Sequence, residues 1–319
     1  MISKNNALNK KEKCNVSVII NVFNGEKHIE NAIESIFQQE TYPSEIIVWD
    51  NCSNDKTKEI VCNYSIVKYF RSSTHTTLGE ARELARKVAK EDWISYLDCD
   101  DYWYPQKLKE QIKFIDENVG IIYSGVDVVD EKGKLICKRL PNYKSGWMLE
   151  KQLEHFDINM VTPLINNKLC NKYNFGFNKE MLASEEQDLF LKICAISKVV
   201  TIFAFHGVCR LREKSLTNEA IKYWSIERNK TLDDLSSFIT TDNHKNALRK
   251  AKMQAKYYEA RYYAHLLNFK KARSILKNLI RYRKTYFLLY IISFVPFLWN
   301  YVHKRSIKAR LTNIFKINK

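Results

Sequence analysis

Short apolar runs and helical stripes take turns along the first two thirds of the chain. Val16-Ser17-Val18-Ile19-Ile20 is β-rich and closes at Asn24-Gly25, which predicts a buried parallel strand followed by a turn. Ile29, Ala32, Ile33, Ile36 and Phe37 then recur at helical spacing within His28 to Gln39. Glu45 to Trp49 predicts a second strand, Lys56 to Cys62 a short helix, and Ile66 to Phe70 a third strand. Gly79 to Lys90 carries Ala81, Leu84, Ala85 and Val88 on one side of a helix. Trp93 to Leu97 predicts a fourth strand, followed by a helix from Pro105 to about Glu117 and a strand from Val119 to Ser124. Such alternation predicts an α/β, Rossmann-like layer with a mostly parallel sheet and flanking helices.

The fourth run ends abruptly in Asp98-Cys99-Asp100-Asp101. Three unpaired carboxylates cannot follow a strand into the core, since each would cost several kcal/mol or be forced to protonate. They belong where the strand leaves the sheet. Carboxylate oxygens there suit Mg²⁺ or Mn²⁺, which also take oxygens from a substrate phosphate. The competing reading is a polar turn, with Asp101 capping the next helix. Ligands of open α/β sheets bind beyond the carboxyl ends of strands. Asn21 to Asn24, Asp50 and Asp98 to Asp101 all fall at such ends, which favours a site. Neither Gly-x-Gly-x-x-Gly, Gly-x4-Gly-Lys-[Ser/Thr] nor Gly-x-Ser-x-Gly occurs. Further on, Ser184-Glu185-Glu186-Gln187-Asp188 opens an amphipathic helix. Acids there suit the helix dipole, and one of them can serve as a general base.

In their order and spacing, four segments resemble family 2 glycosyltransferases of the GT-A fold, across residues 16 to about 215. They are Val16 to Asn24, Val48 to Thr57, Tyr96 to Asp101 and Ala183 to Lys192. The resemblance implies an inverting, metal-dependent transfer from a nucleotide-sugar, with a UDP-sugar the foremost donor. It implies that Asn21 and Phe23 line the nucleotide pocket, that Asp50 accepts a hydrogen bond from the base, and that Asp98 touches the ribose. Asp100, with help from Asp98, would ligate Mg²⁺ or Mn²⁺ on the diphosphate. Arg82 would stand near that diphosphate. Glu186 would be the base, with Glu185 and Asp188 as fallbacks. Asn159, Thr162 and Asn166 are candidate sugar contacts or loop hydrogen-bonders, and His206, Arg210 and Arg212 lie where the family often closes over the diphosphate. Departures from the pattern are Trp49 at the first Asp of the second signature, Cys52 or Asn51 at its Gly, Glu83 after Arg82, and Glu186 itself at an Asp position.

Charge divides the chain. The formal net charge is +16, and from Glu219 onward 22 Lys and Arg face 6 Asp and Glu, so the front is neutral. We therefore expect a transferase domain over 1–215 and a basic helical region over 216–319. Within the latter, Lys245 to Arg283 is helical with a turn at Asn268-Phe269. This fits a helical cap or a single tetratricopeptide-like hairpin. Tyr286 to Val302 is uncharged and aromatic-rich between basic flanks and, with a proline inside it, sits at the short limit of the roughly 20 residues of a membrane span, which is the least favoured reading. It suits a segment lying on an anionic membrane through 281–310, or a buried helix or oligomer contact. Eight cysteines without a Cys-x-x-Cys pair, and a polar N-terminus without an apolar stretch, point to a reducing cytoplasmic compartment, peripheral to the membrane. The acceptor would be a saccharide or a lipid-linked sugar. Two rival readings are a nucleic-acid-binding protein using the basic tail, and an inactive nucleotide-sugar-binding member of the fold. No nucleic-acid module is recognisable, so no nucleic-acid partner is expected.

Overall fold

The computed structural model describes residues 12–211, 221–239 and 241–303. The chain divides into two compact units, Met1–Arg212 and Glu213–Lys319.

In the first unit the elements run β1 (Lys13–Val22), α1 (Ile29–Phe37), β2 (Tyr42–Asp50), α2 (Thr57–Cys62), β3 (Lys68–Arg71), α3 (Leu78–Val88), β4 (Trp93–Asp98), β5 (Tyr102–Trp103) and α4 (Lys107–Gln111). They continue through β6 (Val119–Val129), β7 (Leu135–Arg139), α5 (Leu149–Glu154), β8 (Leu164–Asn166), α6 (Asn167–Lys172), α7 (Glu185–Ile196) and β9 (Lys198–Arg210). The strands form one mixed sheet in the order β3-β2-β1-β4-β8-β6-β9-β5, with β7 paired to β6. β1, β2, β3, β4, β6 and β9 run one way, while β5, β7 and β8 run the other. Val16, Val18, Ile19 and Ile20 of β1 are wholly buried, as expected of a central parallel strand. Each such side chain contributes roughly 1.5–3 kcal/mol.

Parallel register brings three strand ends level. Asn21 pairs with Trp49 and with Asp98, and Val22 pairs with Asp50. The loops beyond β1 and β2 are tied together. Asn24 N donates to Ser53 Oγ at 2.9 Å, Gly25 N to Thr57 Oγ1 at 2.9 Å, and Asn54 N to Asn24 Oδ1 at 2.9 Å.

The helix after Pro105 is shorter than its sequence suggests. It ends at Gln111 and closes in a 3₁₀ turn, Ile112–Phe114, that buries no side chain. Its buried side is Lys107, Leu108 and Gln111. Lys107 Nζ donates to Ser95 Oγ at 2.7 Å and Gln111 Oε1 at 2.8 Å, and lies 3.8 Å from the Trp103 ring centre. Burial pushes its ammonium well below the usual lysine range. Ile112, Phe114 and Ile115 beyond Gln111 are apolar but not buried, so nothing holds further turns against the sheet. Sequence reasoning also passed over β5, β7, β8 and β9. The three-residue β8 is too short to show a period, yet its reversal between β4 and β6 makes the sheet mixed.

The second unit contains α8 (Ile221–Asp234), a 3₁₀ turn at Leu235–Phe238, α9 (Asp242–His265), α10 (Phe269–Leu279) and α11 (Lys284–Ile292). The expected helical hairpin is α9–α10. Asn268 caps α10 by accepting from Lys271 N at 3.1 Å. Ala260, Ala264, Phe269, Ala272, Leu276 and Trp299 form a core cluster there. The apolar run from Tyr286 is broken rather than continuous. α11 ends at Ile292, and helix resumes at 296–303 beyond a tight turn in which Val295 N bonds to Ile292 O at 3.0 Å. Pro296 cannot donate into the preceding turn and starts a new helix instead. Among the described residues no helix is long and apolar enough to cross a membrane.

Gly79 marks where α3 meets the segment leading into α7. A Cβ there would sit 2.2 Å from Asn178 O and 3.3 Å from Glu185 Cβ. The first neighbour is backbone and cannot swing away. Gly79→Ala is expected to lower stability by about 1–3 kcal/mol, read from the chemical-denaturation midpoint, with a poorer fit of α3 against Glu185.

Candidate active site

Each strand end delivers a polar side chain to one rim. Asn21 is buried, and neither its Oδ1 nor its Nδ2 has a hydrogen-bond partner among the described residues. Such a group costs free energy unless something else satisfies it. Phe23 is 47% exposed and its ring centre lies 4.1 Å from that of His75. The two rings make an apolar surface beside the rim. His75 Nδ1 lies 3.0 Å from Asn51 O.

Asp50, which the resemblance makes a receptor for the base, has two fixed partners. It is wholly buried, its Oδ1 accepting from Ser53 N at 2.7 Å and its Oδ2 from Tyr69 Oη at 2.5 Å. Burial first, and then Asp50 itself, push the Tyr69 hydroxyl up, so it stays a donor. A ligand would have to use the lone pairs these two bonds leave. Cys52 has φ +72°, a left-handed conformation that glycine favours. Cys52 therefore occupies the glycine position of the second signature. This corrects the sequence register: Asp50 and Asn51, not Trp49 and Asp50, stand at its two acidic positions. Asn51 has turned structural, accepting from Thr76 N at 3.1 Å and Thr76 Oγ1 at 2.9 Å and donating to Thr76 O at 2.9 Å.

At the end of β4 the three aspartates diverge. Asp101 is buried, accepts from Arg210 N at 2.8 Å, and ties the loop to β9. Burial, then Asp100 and Asp98 beside it, push its carboxyl well above the usual range. Arg210 Nε also donates to Asp100 O at 3.2 Å. Asp98, whose side chain is 35% exposed, and the half-buried Asp100 remain at the rim. Asp101 thus belongs to the turn but does not cap the next helix, whose N-cap Gln106 has no side-chain cap bond, while Asp98 and Asp100 stay at the rim. Two hard-oxygen groups in this setting fit a Mg²⁺ or Mn²⁺ ion that takes its other ligands from water and a diphosphate. Among the described residues no three His, Cys, Asp or Glu side chains gather into a closed metal cage. A substrate-bridging ion does not require one.

Arg82 joins the two halves of the rim. Only 3% exposed, it donates through Nη2 to Asp98 Oδ1 at 2.7 Å and through Nη1 to Glu185 Oε1, with Glu186 Oε2 4.0 Å away. Burial opposes its charge, but Asp98, Glu185 and Glu186 outweigh that and hold the guanidinium firmly protonated. Glu83 is buried too. It pairs with Arg86, its Oε2 2.9 Å from Nε and its Oε1 2.9 Å from Nη2, and accepts from Phe177 N at 3.1 Å. This departure from the family residue therefore fixes the approach to α7 and leaves Arg82 in place.

The three acids of α7 meet different fates. Glu185 is 1% exposed and bound to Arg82. Asp188 is wholly buried and accepts from Lys192 Nζ at 2.7 Å. Glu186 keeps 28% of its side chain exposed. Burial, followed by Glu185, pushes its carboxyl up to about 8, against the pull of Arg82. Thr162 and Asn166 are spent inside the fold. Thr162 Oγ1 donates to Ser124 O at 3.0 Å, while Asn166 caps α6 and donates to Val119 O at 3.0 Å. Asn159 accepts from Val161 N at 3.0 Å. His206 is buried against Glu110, 2.9 Å from Nε2 to Oε2, and burial keeps its imidazolium pKa low. Arg212 lies outside the described residues. Tyr69, His75 and the structural role of Asp101 escaped sequence reasoning: Tyr69 sits in a strand whose pattern does not say what its hydroxyl meets, and isolated loop residues such as His75 and Asp101 show no period.

This rim stands on a sheet of known type. The family model for glycosyl transferase family 2 matches residues 17–184, and the chain belongs to that family. Its fold is the GT-A fold. A glycosyltransferase of unassigned specificity from Rickettsia typhi is 28% identical over 215 residues, 65% of this chain and 67% of its own length. The Escherichia coli UDP-Glc:alpha-D-GlcNAc-diphosphoundecaprenol beta-1,3-glucosyltransferase WfgD is 26% identical over 233 residues, 70% of this chain and 86% of its own length. Among solved structures, Staphylococcus aureus TarS 1-349 in complex with UDP-GlcNAc superposes with a TM-score of 0.65 at 16% identity, covering 92% of each chain. The mannosyltransferase PcManGT of Pyrobaculum calidifontis, in complex with GDP-Man and Mn²⁺, gives a TM-score of 0.57 at 15% identity, covering 94% of this chain and 85% of its own.

Removing Arg82 would strand two acidic partners at once. Arg82→Ala should cost about 3–5 kcal/mol of stability, measured by denaturant titration. Arg82→Lys should recover only part of it, because one ammonium cannot reproduce the two-pronged bonding of a guanidinium.

Proposed function

We propose that this enzyme transfers a hexose, with inversion, from a UDP-sugar to a hydroxyl of a saccharide or lipid-linked acceptor, in the synthesis of a cell-surface polysaccharide or glycolipid. The observation that carries this reading is the Arg82 bridge, which fixes Asp98 at the strand end and the acidic start of α7 to one point. Donor groups on one side and a base on the other are what a direct displacement needs. The UDP preference and the lipid-linked acceptor draw support from WfgD, the relative named for both.

In this mechanism Asn21 supplies its unpartnered amide, Phe23 with His75 the ring surface, and Asp50 its remaining lone pairs to the nucleoside. Asp98 and Asp100 would hold Mg²⁺ or Mn²⁺, which offsets negative charge on the diphosphate. Arg82 keeps Asp98 oriented. Glu186 accepts the proton of the acceptor hydroxyl as that oxygen bonds to the anomeric carbon. The bond from that carbon to the diphosphate oxygen breaks, and its electron pair leaves with the nucleoside diphosphate. Attack opposite the leaving group inverts the centre. Glu185 and Asp188 are committed to Arg82 and Lys192, so Glu186 is the preferred base. All eight cysteines are free, which accords with work in the reducing cytoplasm. The exposed apolar side chains of α11 suit attachment to the inner membrane surface, near a lipid-linked acceptor.

The test is release of UDP from UDP-sugars, with defined acceptors, by wild type and Glu186→Gln. The variant should lose about 10²–10⁴-fold in kcat while binding UDP as before. A carboxyl pushed up to about 8 holds its proton below that pH and loses it above. Wild-type turnover should therefore rise through about pH 8, and the variant should lack that rise. An unimpaired Glu186→Gln enzyme would remove Glu186 as the base. UDP binding without turnover on any acceptor would leave the protein a nucleotide-sugar binder.

A further inference from the structure

The second unit holds a groove unlike anything at the rim. It lies between the first half of α9 and the end of α10, with a volume of about 340 Å³. Lys245, Arg249, Lys252 and Lys256 line one wall and Arg281 the other, and no carboxylate lines it. The four wall residues of α9 are spaced so that they stack along one helix face, where like charges repel. Two have acidic neighbours outside the groove: Lys245 at 3.0 Å from Asp242 and Lys252 at 2.5 Å from Asp233. Both pairs are solvent-exposed and hold their lysines weakly. Leu248 and Leu279 give the groove an apolar base.

We infer that this groove binds the phosphate headgroup of an anionic phospholipid. Phosphate oxygens satisfy several cations together, and the groove has the size of a small-ligand site. What favours a lipid source is the chain just beyond it. Arg281 and Tyr282 lead through Arg283 and Lys284 into α11. One side of α11 and its neighbours, Leu289, Tyr290 and Ile292, packs on the core cluster of this unit. Its other side presents Phe287, Leu288 and Ile291, with Phe294 next, each about half exposed. Cations followed by a bare apolar helix face fit the interface of an anionic membrane. This inference rests on the membrane-attachment reading above and adds the site that selects the headgroup.

The full chain is tested by co-sedimentation with phosphatidylcholine vesicles, with or without phosphatidylglycerol. Wild type should prefer the anionic vesicles. Arg249→Glu/Lys256→Glu, both at exposed positions, should weaken that binding by about tenfold or more. Lys250→Glu/Lys270→Glu, of equal charge change outside the groove, should weaken it far less. Equal loss in both pairs would overturn the groove and leave only net charge. If only Phe287→Ser/Leu288→Ser loses binding, membrane attachment stands and the groove falls. If no vesicle is bound, both readings fall. Binding of soluble pyrophosphate without vesicles, or tighter binding of RNA than of anionic vesicles, would overturn the lipid source.

Discussion

One buried guanidinium holds this site together. Arg82 is removed from water, which is costly, and it repays that cost only because Asp98 and Glu185 meet its two terminal nitrogens. Those carboxylates belong to segments far apart in sequence, the end of β4 and the start of α7. The pairing therefore sets the distance between the end of β4 and the start of α7. The close seating of α3, allowed by Gly79 and by Thr77 Oγ1 donating to Lys179 O at 2.5 Å, puts Arg82 in reach of both.

The same arrangement sorts the acids by role. Asp101 and Asp188 are buried and bound to the fold, Glu185 is bound to Arg82, and only Asp98, Asp100 and Glu186 retain some exposure. A cluster of like charges becomes tolerable when most members have fixed partners. The remaining strain appears at Glu186, whose proton is held by burial and by Glu185. Perturbed carboxyls of this kind commonly gather at functional sites.

Much of this was legible in the sequence, for physical reasons. A strand ending in Asp98-Cys99-Asp100-Asp101 has to leave the sheet there, and alternating strand and helix has to put the other loops beside it. The division of labour among the three aspartates was not legible, since it depends on Arg210 arriving from β9. The register of the second signature needed a backbone angle at Cys52. The position of Asp50 at a strand end was legible, but not that Tyr69 and Ser53 close over it. In the tail, the apolar run from Tyr286 showed hydrophobicity but not the break before Pro296, and charge counting showed a basic tail but not a groove.

The central claim is that the rim is a metal-assisted nucleotide-diphosphate site. Calorimetric binding of UDP, GDP, CDP and dTDP, with and without Mn²⁺, to wild type and Asp100→Ala tests it most directly. The account predicts Mn²⁺-dependent binding, strongest for UDP and lost in Asp100→Ala. Absence of nucleotide binding under every metal condition, or binding untouched by Asp100→Ala, would contradict it.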